Sequence, residues 1–199
     1  SPEVTAVLDA PTGWIVCPFK MTIAFAENAF ENGVEFHFNT EAENIEKTAD
    51  CYRITTSAGI YETRCIVNAA GVYADRFNNM VSGRKLHITP RKGEYILLDK
   101  KAGNFVSHTI FQQPTKLGKG ILITPTAEDI TDKEAVNTTA EGLAQVMEKA
   151  RLSAEKIPLN MAITSFAGLR ATEDDGDFVL GEAEDAEGFF NAAGIDSPG

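Results

Sequence analysis

The side chains best suited to bind a ligand are two arginines, each close to a glycine and an apolar run. Arg91 lies in the segment 90–95, and Arg170 directly follows the segment 165–169. A guanidinium can bind a carboxylate or a phosphate through two parallel hydrogen bonds. The alternatives are that residues 90–95 form a solvated turn and that the acidic residues 173–175 pair with Arg170. Both arginines are therefore candidates for binding an anion.

Two further stretches combine a short apolar run with consecutive small residues. Asn68-Ala69-Ala70-Gly71 is the first, and Asn191-Ala192-Ala193-Gly194 is the second, followed by a polar turn through Gly199. A backbone without bulky side chains allows a flat or anionic group to approach closely. Backbone N–H groups at the second stretch could also hold an anion or the polar edge of a ring. Tight packing of a strand against a helix would produce the same pattern without any ligand.

Other kinds of site are not indicated. The chain has no nucleophile triad and no G-x-G-x-x-G phosphate loop, and Cys17, Cys51 and Cys65 are isolated, so we predict no metal site. The net charge of −11 disfavours binding to nucleic acid. No run reaches the roughly 18 apolar residues that would span a membrane.

The first part of the chain predicts a helix followed by short strands. Pro18 favours a helix start, and apolar spacing continues to a stop at Asn32-Gly33. Alternation predicts a strand over 34–38, and an antiparallel meander should follow. The predicted elements of this part are strands at 42–48, 52–56, 60–64 and 65–68 and a helix at 72–81.

The part after Gly83 has the character of an antiparallel sheet, because strand-like runs follow one another with no long helix between them. Thr138 and Glu141 have capping-box spacing and predict a helix through about Arg151. The predicted strands are 86–89, 94–98, 105–111, 120–124, 161–166, 178–180 and 189–192.

In this order, these stretches resemble the D-amino-acid-oxidase-like (DAO) superfamily of FAD-dependent oxidoreductases. Within it they are most similar to the bacterial anaerobic-type glycerol-3-phosphate dehydrogenases. The resemblance covers nearly the whole chain. The residues that carry it are 11–19, 26–29, 67–71, 73–75, 91–95, 166–170 and 193–199.

The resemblance implies an α/β (α+β) fold in which part of a Rossmann-like FAD-binding domain is joined to an antiparallel-sheet substrate domain. The expected division is a partial FAD-binding domain at 1–83, the substrate domain at 84–166, and a truncated return to the FAD-binding domain at 167–199.

It also implies a site. Arg170 matches the family arginine that anchors the anionic end of the substrate and counts as catalytic, while Arg91 and Tyr95 would be further substrate-binding residues. The residues expected to contact FAD are Ala42, Asn68, Ala69, Ala70, Gly71, Gly194, Ile195, Asp196, Ser197 and Gly199.

The implied chemistry is hydride transfer from sn-glycerol 3-phosphate to flavin N5, with the electrons passed to a quinone or another acceptor. Asp196 and Ser197 stand where well-studied glycerol-3-phosphate dehydrogenases have a lysine. A 2-hydroxy-acid or amino-acid oxidase is therefore the alternative enzyme, and a flavin-free binding domain is the alternative outside enzymes.

We expect an internal fragment, since the chain starts at Ser1 without Met and the dinucleotide fingerprint is absent. Such a fragment should bind FAD poorly and be inactive alone. A strand that relatives usually have is absent after Thr126, which suggests a missing stretch between Thr126 and Ala127. Unpaired cysteines and no visible signal peptide predict a cytoplasmic location, with any membrane association through other segments.

Overall fold

The computed structural model describes residues 7–103, 105 and 126–196, which form helices and three small sheets. The helices are α1 (Pro18–Glu31), α2 (Ala74–Val81) and α3 (Ala140–Ser153). The strands are β1 (Ala42–Lys47), β2 (Tyr52–Thr56), β3 (Gly59–Thr63), β4 (Ile66–Asn68), β5 (Ile88–Leu98), β6 (Glu128–Asp129), β7 (Ala162–Glu173), β8 (Val179–Glu182) and β9 (Phe189–Ala193).

The first sheet is the predicted antiparallel meander, in the order β1-β2-β3. Its centre is Ile54, which lies opposite Ile45 on β1 and opposite Tyr61 on β3. A tight turn joins β2 to β3, where Gly59 has a φ of 144°, a conformation that other residues rarely adopt. The prediction for this segment is confirmed.

The second sheet, ordered β4-β9-β8, brings together two distant parts of the chain. β4 and β9 are parallel, with Ile66 opposite Phe189 and Asn68 opposite Asn191. Because parallel strands end at the same edge, the small residues that follow β4 and those at the end of β9 lie side by side.

The third sheet, ordered β6-β5-β7, is antiparallel and consists mainly of one long strand pair. β5 and β7 pair from Ile88 opposite Glu173 to Leu98 opposite Ala162. The prediction of an antiparallel sheet after Gly83 is therefore confirmed, and the mixed helix and sheet architecture agrees with the expected fold class.

A small core joins the first two sheets. Tyr52 and Phe189 are almost fully buried, their rings lie 6.1 Å apart, and Ile45 and Ala186 complete the buried cluster. The Tyr52 hydroxyl donates a hydrogen bond to the carbonyl of Glu187 at 2.7 Å. This satisfies the polar end of a side chain that is otherwise in apolar contact.

The strand predicted at 34–38 is wrong. Residues 34–37 have no regular secondary structure and Phe38 lies in a turn, so none of them pairs with a strand among the described residues, and Phe38 is 79% exposed. A strand is stabilised by its ladder of hydrogen bonds, so alternation alone does not make one.

Other boundaries also differ from the predictions. β5 runs without a break through 90–93, where a turn was one interpretation, because β7 supplies a partner throughout. β7 likewise continues past 166, where the predicted strand ended, so Arg170 lies inside a strand. The helix predicted from 72 starts as a 3₁₀ turn at Gly71–Tyr73.

Two predicted strands lie outside the described residues, namely 105–111 (Phe105 apart) and 120–124. The predicted division into domains stays a prediction.

The N-terminus of α3 is held by a buried carboxylate of β5. Thr139, rather than Thr138, is the N-cap, since its hydroxyl accepts a hydrogen bond from the Gly142 amide. The Glu94 carboxylate accepts hydrogen bonds from the Thr139 amide at 2.9 Å and hydroxyl at 2.8 Å. Buried Lys92 lies 3.5 Å from the same carboxylate. These contacts attach α3 to one face of the third sheet.

The environment of Glu94 fixes its charge. Burial disfavours the carboxylate, but the hydrogen bonds from Thr139 and the charge of Lys92 outweigh it, so the pKa of Glu94 lies below its ordinary value of 4.5. A carboxyl whose pKa is lower in the folded state stabilises the fold above its unfolded pKa. That stabilisation is lost as the pH falls through the folded pKa.

We predict that Glu94→Gln destabilises the complete protein by about 3–5 kcal/mol at pH 7, because it leaves Lys92 buried without a counter-charge. Urea unfolding at several pH values should show a constant difference from the wild type above pH 4.5 that shrinks at lower pH. Glu62→Gln, which breaks an exposed pair with Arg53, is the control and should cost less than about 1 kcal/mol. A difference that grows on acidification would contradict this account.

Candidate functional site

A cleft of about 480 Å³ lies where the second sheet meets the third. One wall comes from the turn after β4 and from the end of β9, and the other comes from β5 and β7. The residues that line it are Ala69, Gly71, Val72, Tyr95, Gly168, Leu169, Arg170, Ala171, Ala192, Ala193, Gly194, Ile195 and Asp196. The cleft therefore brings together four stretches that are far apart in the sequence.

A ladder of buried asparagines fixes the wall of small residues. The Asn68 side-chain amide donates to the carbonyl of Ala74 at 2.8 Å and to Asn191 Oδ1 at 2.9 Å, and Asn191 donates to Asn78 Oδ1 at 2.9 Å. All three asparagines are buried. Because a buried amide without partners is costly, this network holds β4, β9 and α2 in one arrangement.

The turn after β9 is tied to the opposite wall. The Asp196 amide donates to the carbonyl of Ala171 at 2.9 Å, and the Thr172 hydroxyl donates to the Asp196 carboxylate at 2.8 Å. Asp196 has a φ of 51°, which is uncommon outside glycine. These two bonds to β7 hold the turn in that conformation at the rim of the cleft.

The register of β5 and β7 places three pairs of residues on one face of the third sheet. Arg91 lies opposite Arg170, and Tyr95 lies opposite Phe166, with a pair of glycines between them. Directly opposed residues share a face, and alternate residues along a strand return to it. Both arginines and Tyr95 are candidates from the sequence, but only the strand register shows that they share a face.

Arg170 retains a charge that can bind an anion. Its Nη2 donates a hydrogen bond to the Tyr95 hydroxyl at 3.1 Å, and no described carboxylate forms an ion pair with it. In the acidic stretch, Asp174 pairs with His87 at 2.8 Å and Glu173 accepts from the amide of Asp175. Pairing of Arg170 with this stretch, the alternative interpretation, is not observed.

Arg91 is in a different situation, since its guanidinium forms two hydrogen bonds to Asp129 on β6, at 2.7 and 3.3 Å. The Asp129 carboxylate raises the pKa of Arg91, and Arg91 lowers the pKa of Asp129. Arg91 is not among the residues that line the cleft. Of the two arginines, Arg170 is therefore the better placed to meet a ligand there.

The expected FAD-contacting residues are only partly gathered in the cleft. Ala69, Gly71, Gly194, Ile195 and Asp196 line it. Asn68 is buried beside it, and neither Ala70 nor Ala42, at the start of β1, is part of its lining. Ser197 and Gly199 lie outside the described residues.

Several residues that line the cleft are small enough to leave room for the flat ring of a cofactor. A β-carbon added at Gly71 or Gly168 would meet no other atom within 4 Å, so both positions open onto free space. The neighbouring lining residues Ala69, Ala192 and Ala193 carry only a methyl group. A planar group could therefore approach the backbone directly, and the residues present fit FAD.

The described residues offer neither a metal site nor a membrane helix. Within 7–103, 105 and 126–196, no group of three or more histidine, cysteine, aspartate or glutamate side chains could hold a metal ion. In the same residues, no helix is both long enough and apolar enough to cross a bilayer.

Sequence reasoning missed part of this site. Val72 lines the cleft, but in the sequence it has only the features of the first residue of a helix. The ion pair between Asp129 and Arg91 is not predicted by any sequence pattern. Period-two spacing of Arg91, Gly93 and Tyr95 was the one available signal for a shared face. This signal is ambiguous, because residues 90–95 also fit a solvated turn.

Comparison with known proteins gives one consistent family. The family model of the FAD dependent oxidoreductases (DAO) matches residues 1–199. The chain is 53% identical to the glycerol 3-phosphate dehydrogenase of Caloramator mitchellensis, over all of this chain and 44% of that protein. It is 28% identical to the glycerol 3-phosphate oxidase of Mycoplasma pneumoniae, over all of this chain and 56% of that protein. The chain thus spans about half the length of these relatives.

The 209 positions aligned with the Caloramator protein exceed the 199 residues of this chain. That relative therefore carries residues inside the matched region that this chain lacks. The missing stretch predicted between Thr126 and Ala127 stays a prediction, because the length difference does not locate it.

Solved structures of the same family have the same fold. The dithionite-reduced L-α-glycerophosphate oxidase of Mycoplasma pneumoniae with FAD bound matches 89% of this chain and 50% of its own, with a TM-score of 0.74 and 25% identity. Glycine oxidase of Bacillus cereus matches 88% of this chain and 50% of its own, with a TM-score of 0.69 and 22% identity.

We predict that Gly194→Ala destabilises the protein by about 1–2 kcal/mol, because Gly194 has a φ of 65° and an alanine there is strained. Its β-carbon would also lie 3.0 Å from that of Glu173. Gly168→Ala is the matched control, since its β-carbon meets no atom within 4 Å, and it should be neutral or stabilising by about 0.5–1 kcal/mol. Equal urea midpoints for the two variants would contradict this explanation.

Proposed function

The chain belongs to the DAO family of FAD-dependent oxidoreductases, and on that premise we propose that the complete protein is an FAD-dependent dehydrogenase of sn-glycerol 3-phosphate. The proposal rests on the position of Arg170 and on its lack of a carboxylate partner in the described part of the chain. Arg170 lines the cleft, and its guanidinium has no carboxylate partner among the described residues. A site with this geometry suits a small substrate with an anionic end.

In this proposal, one wall of the cleft binds FAD and the other binds the substrate. Ala69, Gly71, Gly194, Ile195 and Asp196 would hold FAD through close contact with their backbone. FAD, when bound, supplies the acceptor for a hydride taken from the substrate's C–H bond. The chain itself contributes binding and orientation, and its small residues permit that approach.

Arg170 would hold the anionic end of the substrate and so fix the position of the carbon that is oxidised. Positioning of this kind accounts for a large part of the rate acceleration in reactions with little protein acid–base chemistry. Tyr95, whose hydroxyl touches Arg170, would complete this side of the site. Arg91 would contribute less directly to substrate binding, since it pairs with Asp129 and does not line the cleft.

Glycerol 3-phosphate is proposed because the similar Caloramator and Mycoplasma proteins are a glycerol 3-phosphate dehydrogenase and a glycerol 3-phosphate oxidase. One guanidinium also suits the carboxylate of a 2-hydroxy acid or an amino acid, which is the alternative substrate class. A quinone or another acceptor would reoxidise the enzyme. A cytoplasmic location is part of the proposal and rests on the free thiols of Cys17, Cys51 and Cys65.

An anaerobic visible spectrum of the complete protein tests the function. Addition of glycerol 3-phosphate should bleach the flavin band. A flavin band that bleaches only with a 2-hydroxy acid or an amino acid would replace the substrate and keep the reaction type. Folded protein without a flavin band would overturn the proposal in favour of a binding domain.

We predict that Arg170→Ala raises the KM for glycerol 3-phosphate about 10- to 100-fold, the loss of roughly 1.5–3 kcal/mol for hydrogen bonds to a charged group. Arg170→Lys should recover only part of this, since an ammonium cannot form two parallel bonds. Arg53→Ala, which removes an exposed arginine of the meander, is the control. Initial rates over a range of substrate concentrations give the KM values, and an unchanged KM in Arg170→Ala would remove Arg170 from the site.

A further inference from the structure

The guanidinium of Arg170 lies directly against the backbone of β5 at Gly93. A β-carbon added at Gly93 would lie 2.6 Å from Nη2 of Arg170 and 3.0 Å from both Cζ and Nη1. Carbon atoms do not approach so closely without displacement. The volume that a side chain at position 93 would take is therefore already occupied by the guanidinium.

The same guanidinium is held by a hydrogen bond from the nitrogen that lies closest to Gly93. Nη2 of Arg170 donates to the Tyr95 hydroxyl at 3.1 Å, two residues along β5 from Gly93. The Tyr95 ring stacks on Phe166 with centroids 4.9 Å apart and an angle of 6° between the planes. Stacking limits the motion of the ring and thereby fixes its hydroxyl.

Gly168, directly opposite Gly93 on β7, has a different surrounding. An added β-carbon there meets nothing within 4 Å, although the residue lies on the same face of the sheet and lines the cleft. The two glycines thus lie side by side on one face of the sheet. Arg170 occupies the space above Gly93, and the space above Gly168 is open.

We propose that Gly93 is a positioning residue for Arg170: its missing side chain lets the guanidinium lie flat on β5 and reach the Tyr95 hydroxyl. The inference rests on the proposed function for the role of Arg170 as the anion anchor. A methyl group at position 93 displaces the guanidinium, because the end of a flexible arginine moves more easily than the strand backbone. Anion binding weakens as a result, while the fold is kept.

The test is a set of double-mutant cycles in the complete protein, in which Gly93→Ala and Gly168→Ala are each made with and without Arg170→Ala. Gly93→Ala should raise the KM for glycerol 3-phosphate about tenfold, equal to roughly 1.4 kcal/mol. In the Arg170→Ala background the same change should have no further effect. The methyl of Gly168→Ala acts on the volume of the cleft, so its effect should be the same in both backgrounds.

Tyr95→Phe provides a second variant that keeps the ring stack and removes only the acceptor. It should raise KM by a smaller factor and should also lose its effect without Arg170. If Arg170→Ala raises KM but Gly93→Ala leaves it unchanged, or if Gly93→Ala raises KM equally in the Arg170→Ala background, the inference is wrong.

A crystal structure of the Gly93→Ala protein separates this inference from the proposed function. A guanidinium that has left the Tyr95 hydroxyl supports the positioning role of Gly93, even if Arg170→Ala has no effect on KM and the anchor role of Arg170 falls. A guanidinium that still donates to Tyr95 overturns the positioning role, whatever the substrate is.

Discussion

The antiparallel pairing of β5 with β7 is the constraint on which the cleft depends. Its register sets Arg91 opposite Arg170 and Gly93 opposite Gly168. A slip by one residue would turn the Arg170 side chain to the other face of the sheet. That other face is occupied by α3, which is held through buried Glu94. The pairing therefore decides which side of the sheet carries the charge of Arg170 and which side packs against α3.

The second wall is built by a different kind of interaction. β4 is only three residues long, so few backbone hydrogen bonds join it to β9. Side-chain amides supply the rest, because Asn68 and Asn191 are hydrogen-bonded to each other in the interior. The small residues at the ends of these strands are thus held in place without bulky side chains around them. Polar contacts from Asp196 to β7 then join this wall to the arginine wall.

Local patterns predicted much of the fold. The meander at 42–63 and α1, with Pro18 first and Asn32 after its end, could be predicted because turn residues and apolar spacing determine them locally. The continuous strand through Gly93 and the absence of a strand at 34–38 could not, since each depends on whether a distant segment offers a partner. Residue patterns indicated both arginines and the two stretches of small residues, and the resemblance to a family gave each of them a role. Neutralisation of Arg91 by Asp129 and the contact of Arg170 with Gly93 depend on strand register, which no local pattern reveals.

In the proposed function, Arg170 binds the anionic end of the substrate between the two walls. A crystal structure of the complete protein with glycerol 3-phosphate bound would test this role of Arg170. We predict that phosphate oxygens lie within hydrogen-bonding distance of Arg170, and that the carbon to be oxidised points toward the wall formed by Gly71 and Gly194. A ligand bound elsewhere, with Arg170 still bonded only to Tyr95, would contradict it.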